Sequence, residues 1–291
     1  MVHPIKMDLE EKTYFLEASE SFNEGLIEDA LTRHLSLNGY DIGKHNVDQL
    51  TQDEFAEMRA NTFGASDSSV LLEVAYSSKK VPMKTREDLL MEKINKDWDE
   101  SIGMKPSVRK GRELEPMIID KISDLIGGTV IKPKHMYIST FGDGLATNFD
   151  GVVLEAQSNN DELTDHFIPV PMEIKVCSFF GRSNYNWNKA VSEFEDNIPK
   201  KLVAKRDYIE FKTTDPTRRV EEISDVLGIP KYYFTQLQQQ MMFLGSPHGY
   251  LAVMDDIDWT LYFYKVPRDE PTMLEIGKRA HELYQYLLKR S

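Results

Sequence analysis

Two acids and a lysine stand out by type and spacing. Asp150 opens the run Gly151-Val-Val-Leu-Glu155, and Glu173 and Lys175 close the run Phe167-Ile-Pro-Val-Pro-Met-Glu-Ile-Lys-Val176. Both runs are apolar and rich in β-branched residues, with Ser158-Asn159-Asn160-Asp161 as turn material between them, so an antiparallel hairpin is expected. A loop symmetric about Asp161 and Glu162 sets Asp150 opposite Glu173, with side chains about 5 Å apart on one face. The strand period of two places Lys175 on that same face and turns Ile174 to the other side, into the core. Like charges so close are unfavourable unless something positive lies between them. A divalent cation held by the two carboxylates, with the lysine beside it, is the economical reading, and it points to metal-dependent chemistry on phosphate.

Several segments must position this trio. Gln52 to Arg59 has the pattern of a short helix, and Asn61-Thr-Phe-Gly-Ala-Ser-Asp67 breaks it. Ser66 or Asp67 is expected to cap a following helix, Ser68 to Ala75, whose exposed N–H groups make a phosphate seat if Arg59 reaches it. Most Ser-Asp helix starts are only caps. Val81 to Trp98 is expected to be helical. In the segment after Ser107, Leu114, Ile118, Ile122 and Leu125 make one helical face ended by Gly127-Gly128. Proline is tolerated in the first turn of a helix, so Pro116 predicts a start near Gly111 or Arg112. Glu113 and Glu115 then sit near the N-terminus, where acids also suit the helix dipole.

Further on, Lys134 to Thr140 is expected as a strand before the turn Phe141-Gly-Asp-Gly144. No periodic core pattern is obvious through Asp215 to Glu222, and residues 178–228 are taken as an insertion with some helix. Tyr185 and Trp187 within it would suit base stacking, although aromatics in a loop more often anchor the loop. Lys231 to Leu244 is a helix ended by Gly245, with Tyr233, Gln236 and Gln240 on one face that looks into a cleft. A hairpin, Tyr250–Met254 with Thr260–Val266, and a terminal helix with Met273, Ile276, Ala280, Leu283 and Leu287 as its buried stripe complete the chain.

The chain of 291 residues is 41% apolar, enough for one large domain, residues 56–291, behind an acidic helical extension, residues 1–55. A net charge of -13 argues against a protein coated in nucleic acid but leaves room for a local basic groove. The single cysteine, Cys177, excludes an intrachain disulfide or thiolate metal cluster and is expected to pack as a small hydrophobe. No apolar run is long enough to span a membrane and the N-terminus lacks a signal-peptide pattern, so a cytoplasmic protein is expected.

The order of these motifs resembles the phage-type recombination exonucleases, the lambda-exonuclease-like or YqaJ-like branch of the PD-(D/E)XK nuclease superfamily. The signature of an Asp followed by Glu-x-Lys corresponds to Asp150 and Glu173-Ile174-Lys175. Gly64-Ala65-Ser66-Asp67 resembles the branch's N-terminal Gly-x-Ser-(Asp/Glu) motif, with Arg59 at the matching spacing. Lys110-Gly-Arg-Glu-Leu-Glu115 resembles the helix that carries an extra metal-site glutamate, here Glu115, and Tyr233-Phe-Thr-Gln236, with Gln240, resembles a Tyr-x-x-Gln helix. Phe149 stands where a proline usually precedes the first acid, the gap from Lys175 to Gln236 is long, and residues 1–55 match nothing in the family.

The resemblance implies an α/β, restriction-endonuclease-like core, a central mixed β-sheet flanked by helices. It also implies two Mg2+ or Mn2+ ions on Asp150, Glu173, Glu115 and the Ile174 carbonyl. Lys175 would orient or deprotonate the attacking water or offset charge on the phosphate, and Gln236 and Tyr233 would position the reactants. Arg59 and Ser66 would grip the 5′ phosphate of linear duplex DNA. The implied activity is a 5′ exonuclease of phage recombination, in an infected or prophage-bearing bacterial cell. A single-strand annealing recombinase is the implied partner, and a trimeric ring the implied assembly. The alternatives are an endonuclease on the same core, for restriction or defence, and a non-catalytic protein that binds DNA ends.

Overall fold

A computed structural model describes residues 42–46, 49–74, 84–96, 105–126, 129–139, 141–156, 167–177, 179–186, 192–195, 198–202, 213 and 215–290. In chain order they form β1 (Ile42–Asn46), α1 (Gln52–Ala60), β2 (Phe63–Gly64), a 3-10 turn (Ala65–Asp67), α2 (Ser68–Leu71), α3 (Arg86–Asn95) and α4 (Pro106–Ile126). Next are β3 (Val130–Ile131), β4 (His135–Ser139), β5 (Leu145–Thr147), β6 (Gly151–Ala156), β7 (Phe167–Cys177) and a 3-10 segment, Phe179–Asn184. The chain ends with β8 (Ser192–Glu195), β9 (Ile198–Leu202), α5 (Pro216–Leu227), α6 (Lys231–Leu244), β10 (His248–Asp255), β11 (Leu261–Pro267) and α7 (Glu270–Leu288).

The fold is α/β, with a seven-stranded mixed sheet in the order β3-β6-β7-β10-β11-β8-β9 and a four-stranded sheet, β1-β4-β5-β2. The β6–β7 hairpin has the expected register, from Ala156 opposite Phe167 to Gly151 opposite Met172, so the next pair outward is Asp150 with Glu173. β10 lies parallel to β7 on its other side, from Tyr250 opposite Met172 onward. Pro169 and Pro171 therefore fall where β7 has only β6 as a paired neighbour, the part of the strand that can spare a donor. Helices cover both faces. Ile118, Ile119 and Ile122 of α4 pack with Val153, Met172 and Ile174. On the opposite face Phe234, Leu237 and Met241 of α6 pack with Val152, Leu251 and Val253, and Val220 of α5 and Ile276 of α7 join that core. Cys177 is buried there, as expected of a small hydrophobe. No helix among the described residues is long and apolar enough to cross a membrane.

Several elements differ from expectation. α4 starts at Pro106 and carries Pro116 in its interior. The bond that Pro116 cannot make would have gone to the Arg112 carbonyl; both residues are exposed, so water can serve that carbonyl. Glu113 and Glu115 consequently lie beyond the first turn, and the dipole does not account for them. Within residues 178–228, expected as an insertion with some helix, the described residues form strands as well as helix. β8 and β9 extend the large sheet, and α5 is capped by Asp215 and buries Val220, Ile223 and Leu227. The period of that helix starts only at Val220, so Asp215 to Glu222 shows none. Asp67 does not cap α2, because its carboxylate is engaged elsewhere. α3 is shorter than Val81 to Trp98, with a capping box of Thr85 and Asp88. Residues 42–46 of the expected helical extension are a strand paired with β4. Residues 1–41 and Trp187 lie outside the described residues.

The turn leading into β5 depends on glycine. Gly144 has φ +70, and a Cβ there would lie 2.4 Å from Cδ2 of Tyr284. Gly144→Ala is expected to lower stability by about 2–3 kcal/mol in denaturant unfolding, from the left-handed backbone and the overpacked ring together.

Candidate active site

Asp150 is delivered by a buried neighbour. Phe149 is almost fully buried, its ring 5.8 Å from that of Tyr137 on β4, and this anchor fixes where β6 begins. Asp150 Oδ2 then accepts the Ile174 N–H at 3.0 Å and the Lys175 Nζ at 3.2 Å. Lys175 also pairs with Glu173, so one ammonium bridges both acids. Its Nζ lies 5.4 Å from the centre of the Tyr233 ring. Glu173 has no exposed surface. Gln236 Nε2 donates to its Oε1 at 2.6 Å and Gln240 Nε2 to its Oε2 at 2.8 Å, so α6 supplies an amide for each oxygen.

The electrostatics follow from burial. Loss of water, and then the charge of Asp150, push the Glu173 carboxyl up to about 7, against the pull of Lys175 and Gln240. Burial alone would lower the Lys175 pKa, but Asp150 and Glu173 hold it well above the usual lysine range. Two acids facing one cation are short of positive charge, and hard anionic oxygens are the donors that Mg2+ takes. Asp150 and Glu173 therefore fit a divalent cation. Glu115 does not join them. Its helix, α4, packs on the sheet face to which Ile174 points, and its carboxylate pairs with Lys132 at 2.6 Å. Among the described residues no group of three or more His, Cys, Asp or Glu is arranged to hold a metal.

A second cluster forms upstream. The Arg59 guanidinium lies over Gly64, where a Cβ would come within 3.1 Å of its Nη1 and 3.8 Å of the Ser66 Oγ. The two residues proposed to grip phosphate thus converge on a glycine that leaves them room. Asp67 beneath them accepts the Gly64 N–H at 3.0 Å and pairs with Lys93 at 3.1 Å. Burial would raise the Asp67 pKa, but the charges of Lys93 and Arg59 hold it below the usual range. Lys93 is itself buried; it donates to the Arg59 carbonyl at 3.0 Å and sits 5.7 Å from the centre of the Phe63 ring.

The structure brings Asp150, Glu173, Lys175, Gln236 and Tyr233 together and, separately, Arg59 and Ser66. Lys93 was not singled out by sequence, since a lysine in a charged helix carries no local sign of burial. Tyr185 stacks on Tyr233 with centroids 6.4 Å apart, and so anchors its loop to α6.

Fold and site together define an α/β protein with an Asp/Glu-x-Lys cluster carried by β7 and the residue before β6. Residues 54–246, more than half of the 291, match the model of the YqaJ-like viral recombinase domain, and the chain belongs to that family. Among solved structures it is similar to the alkaline exonuclease LHK-Exo of Laribacter hongkongensis. The match to LHK-Exo in complex with dAMP has 18% identity over 82% of this chain and 97% of that one, with a TM-score of 0.47. A second LHK-Exo crystal structure gives 17% identity over the same shares and a TM-score of 0.46. No curated protein matches.

The buried acid predicts a pH dependence in metal-free protein. Below the ordinary value of 4.5 Glu173 is protonated in both folded and unfolded chains, so it contributes nothing to stability. As pH rises from 4.5 to about 7 the unfolded chain ionises first, and stability is lost, leaving the full penalty above that window. The loss is on the order of 3 kcal/mol. Unfolding in chelator across this range should show Glu173→Gln without that decline, and Asp150→Asn with a smaller one.

Proposed function

We propose that the protein is a metal-dependent DNA exonuclease that hydrolyses phosphodiester bonds from the 5′ ends of linear duplex DNA during phage-type recombination. The observation that carries this reading is Lys175 bridging Asp150 and Glu173. Arg59 and Ser66, converging over Gly64, support the choice of a 5′ end. Asp150, Glu173 and the Ile174 carbonyl would hold Mg2+ or Mn2+, and Glu115 would contribute to a second ion only after leaving Lys132. Bound ions of this kind lower the pKa of a coordinated water and stabilise the attacking and leaving oxygens.

The chain's own residues do the rest. Gln236 and Gln240 hold Glu173 in one orientation, and the Ile174 N–H does the same for Asp150. Asp150 and Glu173 hold Lys175 as a cation in the metal-free protein, and beside a bound ion it would orient or deprotonate the attacking water or offset charge on the phosphate. The Tyr233 ring beside it limits where that ammonium can go. Arg59 offers a guanidinium fork and Ser66 a hydroxyl, a pairing suited to a terminal phosphate dianion. A single-strand annealing recombinase as partner, a trimeric ring and the cytoplasm of the host cell belong to the same proposal and rest on the family resemblance.

End-labelled linear duplex with Mg2+ should release nucleotides from 5′-phosphorylated ends. Lys175→Met should reduce the rate by about 10²–10³-fold with the fold intact. Arg59→Ala should slow digestion of 5′-phosphorylated ends about tenfold or more and remove their advantage over 5′-hydroxyl ends. Cutting of covalently closed circular duplex would instead identify an endonuclease. The catalytic reading fails if no divalent cation supports hydrolysis and Mn2+ gives no heat of binding in the wild type or in Asp150→Ala.

A further inference from the structure

Gln238, Gln239 and Gln240 are consecutive on α6 and all three are fully buried. Burying three such side chains is unfavourable in entropy and desolvation, so each must have specific partners. Gln238 donates to the Pro267 carbonyl at 2.9 Å and accepts the Asp269 N–H at 2.8 Å, which fastens the start of α7. Gln240 holds Glu173. Gln239 divides its amide between the Phe63 carbonyl at 3.0 Å and the Ala146 carbonyl at 2.9 Å, and its Oε1 accepts the Ser68 hydroxyl at 2.7 Å.

Those partners connect the two clusters. Phe63 leads directly into Gly64 and Ser66, where Arg59 lies, and Ala146 leads through Phe149 to Asp150. β2 spans only Phe63–Gly64 and lies at the edge of its sheet, so its own ladder with β5 is short. Within one turn, α6 therefore touches β2, which leads into the anion seat, β5, which precedes the first acid, and the second acid itself. A nucleic-acid strand held at one end by its terminal phosphate presents to the carboxylates whichever phosphate the intervening distance allows. A fixed distance selects one product length; a loose one admits several and misaligns the reacting atoms.

We infer that Gln239 is a positioning residue that sets the separation between the Arg59–Ser66 anion seat and the Asp150–Glu173 carboxylates, and thereby the length of the released product. The inference rests on the proposed 5′ exonuclease reading. Side-chain amides suit this task because they bind backbone carbonyls without adding charge to a seat meant for an anion or to a centre meant for a cation.

The test uses full-length protein with Mn2+ and labelled linear duplex, and resolves product lengths and the rate ratio between 5′-phosphate and 5′-hydroxyl ends. Gln239→Met keeps the side-chain length and removes the amide. It should turn a uniform product into a mixture and lower the end preference about tenfold. Calorimetric affinity for Mn2+ should stay within about threefold, since Glu173 keeps both amides. Ser68→Ala, which removes one of the three bonds, should shift products in the same direction to a smaller extent. Gln238→Met should lower thermal stability yet keep the wild-type product and preference.

Wild-type products and preference in Gln239→Met overturn the inference alone, as does an equal change in Gln238→Met. A wild type indifferent to end chemistry overturns the proposed grip and the inference together. If Gln239→Met does not fold, Ser68→Ala decides, and an unchanged product profile overturns the inference.

Discussion

A carboxylate with no exposed surface, set beside a second carboxylate, is the constraint to which the rest of the molecule answers. Glu173 sits in the middle of β7, between strands on either side, and cannot turn to water. Its charge is tolerable only because Lys175 lies on the same face and two glutamine amides reach it from α6. α6 in turn must present a polar line along a buried surface, which explains why a helix packed by Phe234, Leu237 and Met241 also carries four glutamines. The strain left after these contacts, a carboxyl pushed up to about 7, is the physical reason to look for a cation there.

Much of this was legible in the residues because the informative contacts are regular. The hairpin register follows from loop symmetry and a strand period of two, and the pair Gly151–Met172 places Asp150 against Glu173 as that symmetry requires. Gln236 and Gln240 fall one helical turn apart, so their common face is visible without a structure. What was not legible depends on partners distant in sequence. Nothing near Lys93 announces that Asp67 will meet it in the interior, and nothing near Gln239 names Phe63 and Ala146. Pro116 misled for a related reason. A helix breaks at proline only if the lost bond goes unreplaced, and that depends on whether the Arg112 carbonyl faces water. The apolar period of α5 is confined to its second half, so the sequence shows some helix in that insertion without its bounds.

Glu115 illustrates the limit of motif order as a guide to geometry. Its place in the sequence resembles that of a metal-site acid, yet α4 covers the face of β7 opposite to Glu173. An acid on that helix reaches the strand ends only around the edge of the sheet, where Lys132 already holds it. In the proposed reaction a second ion would therefore require that ion pair to be exchanged.

The two clusters are electrostatic opposites. Around Asp67 lie the charges of Lys93 and Arg59, with Glu92 acting on Lys93 in turn; around Lys175 lie the charges of Asp150 and Glu173. In the proposed reaction the first would take an anion and the second a divalent cation, on a chain whose overall charge is -13. Two such centres close together would partly cancel if they shared a charged bridge. The residue between them is instead a neutral amide, and its bonds run to backbone carbonyls on β2 and β5 rather than to any ionised group. Glutamate at Gln239 would face those carbonyls with acceptor against acceptor, and lysine would place a third cation beside Asp67. Of the side chains long enough to reach both strands, glutamine joins the centres and leaves their fields apart.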